Sequence, residues 1–236
     1  MLNLKIIWHD KFAPGSFTKL QSMKVQFCES LMNIFQVNML SRFQSLESLV
    51  VDDCGLVQEI FELKGQEVME THAITVTQLK KLFMPRLPNL KRVWNKDHQG
   101  TFSFQNLQQI EAARCESLKS LFPTSVARCL QQLEDLRIGE SGIEEIIEQE
   151  EGAKEDVRFV FPKLTLLILQ KLPKLKWFHR GLHTSEWPLL KILEVFGSNE
   201  IQIFASKKFR VEEPDEQSQL ETSIPQPLFL VEEVRD

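Results

Sequence analysis

The stretch FQNLQQIEAARCESLKSLF, Phe104 to Phe122, decides the fold, because its spacing of apolar residues recurs along the chain. Phe104, Leu107, Ile110, Ala112, Cys115, Leu118 and Leu121 set the frame F-x-x-L-x-x-L-x-V-x-x-C-x-x-L-x-x-L. Phe17, Leu20, Met23, Val25, Cys28, Leu31 and Ile34 keep it, as do Phe43, Leu46, Leu49, Val51, Cys54, Val57 and Ile60. Val76, Leu79, Leu82, Met84, Leu87, Leu90 and Val93 fit with Leu in place of Cys, and Phe161, Leu164, Leu167, Leu169, Leu172 and Leu175 fit likewise. Trp187, Leu190, Leu193, Val195, Ser198 and Ile201 form another copy, and a looser one runs through Leu130, Leu133, Leu136, Ile138 and Ser141. Units start at 17, 43, 76, 104, 130, 161 and 187, which are 26 to 33 residues apart.

An L-x-x-L-x-L core with Asn or Cys three positions later is the leucine-rich-repeat signature. The L-x-L part alternates with period two, so its named residues point inward and those between them face solvent. A single unit leaves its apolar side wet. Stacking parallel strands about 4.8 Å apart closes that side, and seven units make a sheet roughly 30 Å wide. The expected fold is an α/β solenoid, with a curved parallel β-sheet on its concave face and irregular loops and short helices on its convex face.

LPNLKRVW, Leu87 to Trp94, is the return half of a unit, and LPKLKWF from Leu172 repeats it. NLKIIWHD, Asn3 to Asp10, is a third copy with no strand before it, so Met1 to Asp10 reads as a partial first repeat. The array is expected over 1–204, followed by an acidic, flexible tail over 205–236 rich in Glu, Gln, Ser and Pro. Within the tail only Gln226 to Val234 regains apolar character, enough for a short edge strand. Insertions at Glu62 to Thr75, Asn95 to Ser103 and Glu148 to Val160 are expected on one rim. Glu144 to Asp156 holds seven acids and one Lys and reads as a solvated loop. Pro123 to Leu133 reads as a short helix, with Gln36 to Phe43 in the same place of an earlier unit.

A net charge of −5 gives no reason to expect nucleic acid or an anionic membrane as partner. No apolar run approaches the roughly 18 residues of a spanning helix, and the N-terminus lacks the order of a secretion signal. Four cysteines in a chain of 236 residues do not make a disulfide framework, and a reducing cytoplasmic setting is expected. Cys28, Cys54 and Cys115 share one repeat phase, where a small side chain caps neighbouring backbone groups as the chain leaves the strand. His179 and His183 have the i, i+4 spacing of a zinc helix, but Gly181 interrupts it and the Glu after the first His is missing. Phosphate-binding loops and nucleophile elbows are absent too, so no catalytic, cofactor-binding or metal residue is assigned and no enzyme is expected. Lys5, Lys91, Lys119 and Lys176 recur in phase, as a basic stripe or, more simply, as a solubilised return segment.

Core packing dictates the leucines and leaves the outward column of the sheet free. Its central positions are Lys24, Val50, Phe83, Glu111, Arg137, Ile168 and Glu194, flanked by Leu166, Ile192 and Phe196. Apolar side chains on an open face point to a protein contact, so these residues form the candidate binding surface.

Phe104 to Phe122, LPNLKRVW, LPKLKWF, FPTSVARCLQQLEDLRI, and SGIEEII followed by an acidic insert and FPKL resemble plant intracellular immune receptors of the coiled-coil, nucleotide-binding, leucine-rich-repeat class. The resemblance spans residues 1–205. It implies a non-enzymatic module that senses a pathogen-derived protein or a modified host protein and restrains a nucleotide switch. ATP or ADP would belong to an upstream nucleotide-binding domain, which would also be an intramolecular partner of the array. A substrate-recruiting subunit of a ubiquitin ligase, or another scaffold, is the competing reading, since such subunits use similar arrays.

Overall fold

The structure is a computed structural model that describes residues 4–8, 12–13, 15–35, 39–61, 75–94, 102–149, 157–181 and 183–198, and the backbone of 204–206 and 229–231. Seven five-residue strands, here called rungs, form one parallel sheet in chain order. They are Ser22–Gln26, Ser48–Asp52, Lys81–Pro85, Gln109–Ala113, Asp135–Gly139, Leu166–Gln170 and Ile192–Phe196. The repeat frame is therefore the architecture.

Each unit is built the same way. In six units the leucine of F-x-x-L donates its N–H to the aromatic or leucine three residues back, from Leu20 to Phe17 through Leu190 to Trp187, at 3.0–3.3 Å. The carbonyl just after that leucine then accepts two successive N–H groups from the next unit. Gln21 accepts from Glu47 and Ser48, Lys80 from Gln108 and Gln109, and Thr165 from Lys191 and Ile192, all at 2.8–3.1 Å. This shared acceptor repeats across all six junctions and locks the register, so the leucines from Leu20 to Leu190 stand on adjacent rungs. Among the described residues a second turn follows five of the seven rungs, as in Leu118 to Cys115 and Val57 to Cys54 at 3.2 Å.

After that turn a short return strand leads away. Asn33–Phe35, Glu59–Phe61 and Arg92–Trp94 pair in parallel, as do Ser120–Pro123, Glu145–Glu148 and Trp177–His179. The core between rungs and return strands is one continuous cluster. Leu49, Leu82, Leu107, Ala112, Leu133 and Leu169 in it are fully buried. Along it runs an aromatic spine: Trp8, Phe35, Phe61, Trp94 and Phe122 succeed one another with ring centroids 6.3, 5.6, 6.1 and 5.4 Å apart. Trp8 thus fills in its unit the place that Trp94 fills in the later one, as the repeated half-motif requires. Its indole Nε1 donates to the Ile34 carbonyl.

Several expectations need correction. Glu145 to Glu148 is not loop but a return strand, with Ile146 and Ile147 fully buried and Glu145 facing Arg180. The remainder of that acidic insert, 150–156, lies outside the described residues, as do 62–74 and 95–101 of the other insertions. Each insertion runs into a short lead-in strand before the F-x-x-L turn. Thr75–Val76 pairs with Phe102–Ser103, and Val157–Val160 pairs with His183–Glu186. The helix after Pro123 covers only Thr124–Cys129, because Leu130 to Leu133 is taken by the F-x-x-L turn. The earlier unit has a 3-10 turn at Leu40–Arg42 in that place. A strand does form in the tail: Phe229–Val231 pairs in parallel with Phe204–Ser206.

Candidate functional site

Strand pairing places the candidate residues in one line. Lys24 opposes Val50, Val50 opposes Phe83, Phe83 opposes Glu111, Glu111 opposes Arg137, Arg137 opposes Ile168, and Ile168 opposes Glu194. On one side of this column Leu166 opposes Ile192; on the other Phe196 closes the row Pro85, Ala113, Gly139, Gln170. The pleat turns all of them away from the core, since the intervening residues Leu82, Met84, Ile110 and Ala112 are buried.

Chemically the face has three zones. Val50 and Phe83 make a small apolar zone among the early rungs. Leu166, Ile168, Ile192 and Phe196 make a larger one at the late rungs, where Ile192 is 45% exposed and Phe196 64%. Between them lies a charged belt. Asp135 grips Arg137 on the same strand through two contacts of 2.9 Å, Nε to Oδ1 and Nη2 to Oδ2. That hydrogen bond foremost, with Glu111 and Glu194 adding, holds the Arg137 guanidinium above its ordinary pKa. Glu111 stands opposite Arg137 on the preceding rung and is half-buried there. Phe83 and Ile168 are three rungs apart, about 14 Å at normal strand spacing. These groups can grip a protein surface with two apolar contacts flanking a polar one.

One rim of this face carries a feature that sequence reading missed. The residue just after each rung has a positive φ: Phe27 (55), Asp53 (52), Arg86 (55), Arg114 (55), Glu140 (47), Lys171 (51) and Gly197 (71). In six of these seven units the N–H there donates to the last carbonyl of the following rung, as Arg86 does to Ala113 at 2.8 Å and Lys171 to Phe196 at 2.6 Å. That bond holds a left-handed conformation which side chains other than glycine resist. Their charges then line up. Arg114 meets Glu140 at 2.9 Å, Lys171 meets Glu140 at 3.0 Å, and Arg86 reaches the buried Asp52, which also accepts from Gln26 at 2.8 Å. Lys171 and Arg114 hold the Glu140 carboxyl below the usual carboxylate range.

The in-phase thiols are structural caps, as their spacing implied. Cys54 Sγ donates to the Asp52 carbonyl at 3.4 Å, and Cys115 Sγ to the Met84 carbonyl of the preceding unit at 3.3 Å. Ser141 plays the same part, taking the Cys115 N–H at 3.3 Å while donating to Gly139 at 2.7 Å. Burial pushes the Cys54 thiol up to about 11 and the Cys115 thiol to about 12. The two histidines lie on strands, not on a zinc-binding helix. His179 ends a return strand and His183 opens a lead-in strand; both are buried, with rings 5.5 Å apart and edge-on to each other. Among the described residues no group of three or more His, Cys, Asp or Glu is placed to hold a metal. The in-phase lysines do not make a stripe: backbone bonds put Gln58 beside Lys91, and Glu144 between Lys119 and Lys176.

Among the described residues no helix is long and apolar enough to cross a membrane. No match was found among curated proteins or among solved structures. A family described as plant disease resistance protein RPS2-like, leucine-rich repeats, matches residues 1–142. That span takes in the first five rungs, and the sixth and seventh continue the same register. The chain thus belongs to the leucine-rich-repeat family of RPS2-like plant disease resistance proteins.

Proposed function

We propose that this array is the protein-recognition and autoregulatory part of an intracellular plant immune receptor working in the cytoplasm. It senses a pathogen effector or a modified host protein through the open face of its sheet and performs no chemistry of its own. The observation that carries the reading is the column itself. In a family of disease resistance proteins, seven consecutive rungs expose residues that the core does not dictate, and the late rungs leave the apolar Ile192 and Phe196 exposed. Phe83, Ile168 and Phe196 are the anchors, since large apolar groups dominate protein interfaces. Glu111 and the Asp135–Arg137 pair set the polarity of the partner between them. A nucleotide-binding domain, with its ATP or ADP, is the intramolecular partner that the array restrains until the ligand arrives.

The test is capture of partners from plant extract by the intact chain and by the variant carrying Phe83→Ser, Ile168→Ser and Phe196→Ser. All three residues lie off the core, so the variant should fold normally by circular dichroism. Proteins retained by the intact chain should be weakened at least tenfold on the variant, an interface loss of about 1.4 kcal/mol or more. Retention of the same proteins at the same strength would place recognition elsewhere.

A further inference from the structure

The seventh unit ends the described array, yet its two strands are covered to different degrees. On the rung Ile192–Phe196 no residue is buried, and inward-facing Leu193 and Val195 are only half-buried. Their counterparts one rung earlier, Leu167 and Leu169, are 1% and 0% exposed. This is what an uncovered end of a solenoid looks like. The lead-in strand His183–Glu186 of the same unit behaves otherwise. Its alternation of buried and half-buried residues matches that of Val157–Val160, the strand inside it, and His183 and Ser185 are 4% and 9% exposed.

The difference has a visible source. The strand Phe229–Val231 runs alongside His183–Glu186, on the side away from Val157–Val160, and pairs in parallel with Phe204–Ser206. The rung has no such neighbour among the described residues. A parallel pair needs a crossover of a dozen or more residues, and the 22 residues from 207 to 228 provide it.

We propose that Phe229–Val231 is a cap in cis. It covers the lead-in edge of the last unit, shielding the cluster of Phe159, Phe178, His179 and His183 from water, while leaving the rung edge and the open face free. In that cluster Phe159 lies 5.3 Å from His179, Phe178 lies 5.7 Å from His183, and all four residues are nearly or fully buried. Such a cap is needed because the aromatic groups at the end of a stack would otherwise stand against water, with no further unit to bury them. The proposal is independent of ligand recognition on the open face.

Hydrogen exchange on three forms of the chain tests it: intact, truncated after Ser206, and Leu230→Pro in the full length, the last removing a strand N–H with little change in mass. In both altered forms the amides of His183–Glu186 should exchange at least tenfold faster, while those of Gln109–Ala113 stay as they were. A synthetic peptide covering residues 224–236 should bind the truncated form, restore the protection, and fail to bind the intact chain. If the truncated form instead regains protection only at high concentration, as a dimer, the edge still required cover and the proposal stands. Unchanged exchange at His183–Glu186 in the truncated and Leu230→Pro forms overturns it, as does equal binding of the peptide to intact and truncated chains.

Discussion

Phe61 and Phe83 are the same residue type in neighbouring units, and exchanging each for Ala should separate the core from the face. Phe61 is fully buried in the aromatic spine, 5.6 Å from Phe35, 6.1 Å from Trp94 and 5.0 Å from Phe104. Removing its ring leaves a cavity walled by rigid neighbours that cannot all move in, so the loss is about 3–5 kcal/mol. That figure already contains the ring–ring contacts, and their pairwise worth is not added to it. Against a total stability of about 5–15 kcal/mol for a domain, this is a large share. At about 2–4 °C per kcal/mol for a chain of this length, the melting temperature should fall by about 6–20 °C.

Phe83 is only half-buried on the open face, and Phe83→Ala should cost less than about 1 kcal/mol. Urea unfolding followed by far-ultraviolet circular dichroism measures both. Phe35→Ala combined with Phe61→Ala should show a coupling of about 1 kcal/mol, because the two rings stack at an interplanar angle of 4°. Phe61→Ala combined with Phe178→Ala, which share no contact, should be additive. If Phe61→Ala costs no more than Phe83→Ala, the spine does not hold the array together and the packing argument fails.

The positive φ of 55 at Arg114 makes a test of the rim. Arg114→Val should destabilise by about 1–2 kcal/mol, since a branched side chain resists that conformation most. Arg114→Gly should stay within about 1 kcal/mol, relieving strain while losing chain entropy and an exposed ion pair; equal urea midpoints for the two would refute the strain argument. The two buried indoles should also part ways. Trp94 Nε1 is buried with no hydrogen-bond partner among the described residues, whereas Trp8 Nε1 bonds Ile34. Each Trp→Phe change leaves a small cavity and Trp8→Phe also gives up a hydrogen bond, so it should cost about 1 kcal/mol more than Trp94→Phe; a larger loss at Trp94 would count against this geometry. The thiols set an alkaline limit. Cys54 and Cys115 hold their protons to about 11 and 12 in the folded chain, against 9 unfolded. Between those values the folded chain binds more protons than the unfolded one, so stability is full below pH 9 and falls as pH rises towards 11–12. With no tyrosine in the sequence, tryptophan fluorescence can follow the loss, and Cys54→Ala with Cys115→Ala should flatten this limb; an unaltered limb would show that other groups control it.

Much of this architecture was legible because burial repeats with a fixed period. Leu79, Leu107 and Leu164 face the same environment, so the same side chain recurs and the frame can be read without any knowledge of coordinates. The column from Lys24 to Glu194 was legible for the opposite reason: it is the remainder that alternation leaves over. Three features were not legible. The lead-in strands Val157–Val160 and His183–Glu186 are held by pairing across units, and their spacing is broken by insertions of unequal length. Glu145 was hidden by its own charge, since an acid-rich stretch reads as solvent-facing unless Arg180 is known to lie opposite. The left-handed ladder escaped because backbone bonding imposes it, not side-chain type; Phe27, Asp53, Arg86, Arg114, Glu140 and Lys171 share no chemistry, and only Gly197 betrays the conformation.

The same junctions that make the core intolerant make the open face permissive, and this is how such an array can serve recognition. Register is locked by backbone bonds at both ends of each rung, from the Gln21 carbonyl at one side to the left-handed N–H groups at the other. None of these bonds passes through a side chain of the central column. Exchanging Lys24, Val50, Phe83, Glu111, Ile168 or Glu194 alters neither a cap nor a core contact, so the stability cost of each change is small. Arg137 is the exception in degree, because its bond to Asp135 ties two positions of the face together and a change in one must answer to the other. A surface of this kind can change its specificity one rung at a time while seven rungs keep the same spacing, provided the ends stay covered. The weak point of the design is therefore not the open face but the seventh unit beside it, where Leu193 and Val195 already lie half in water.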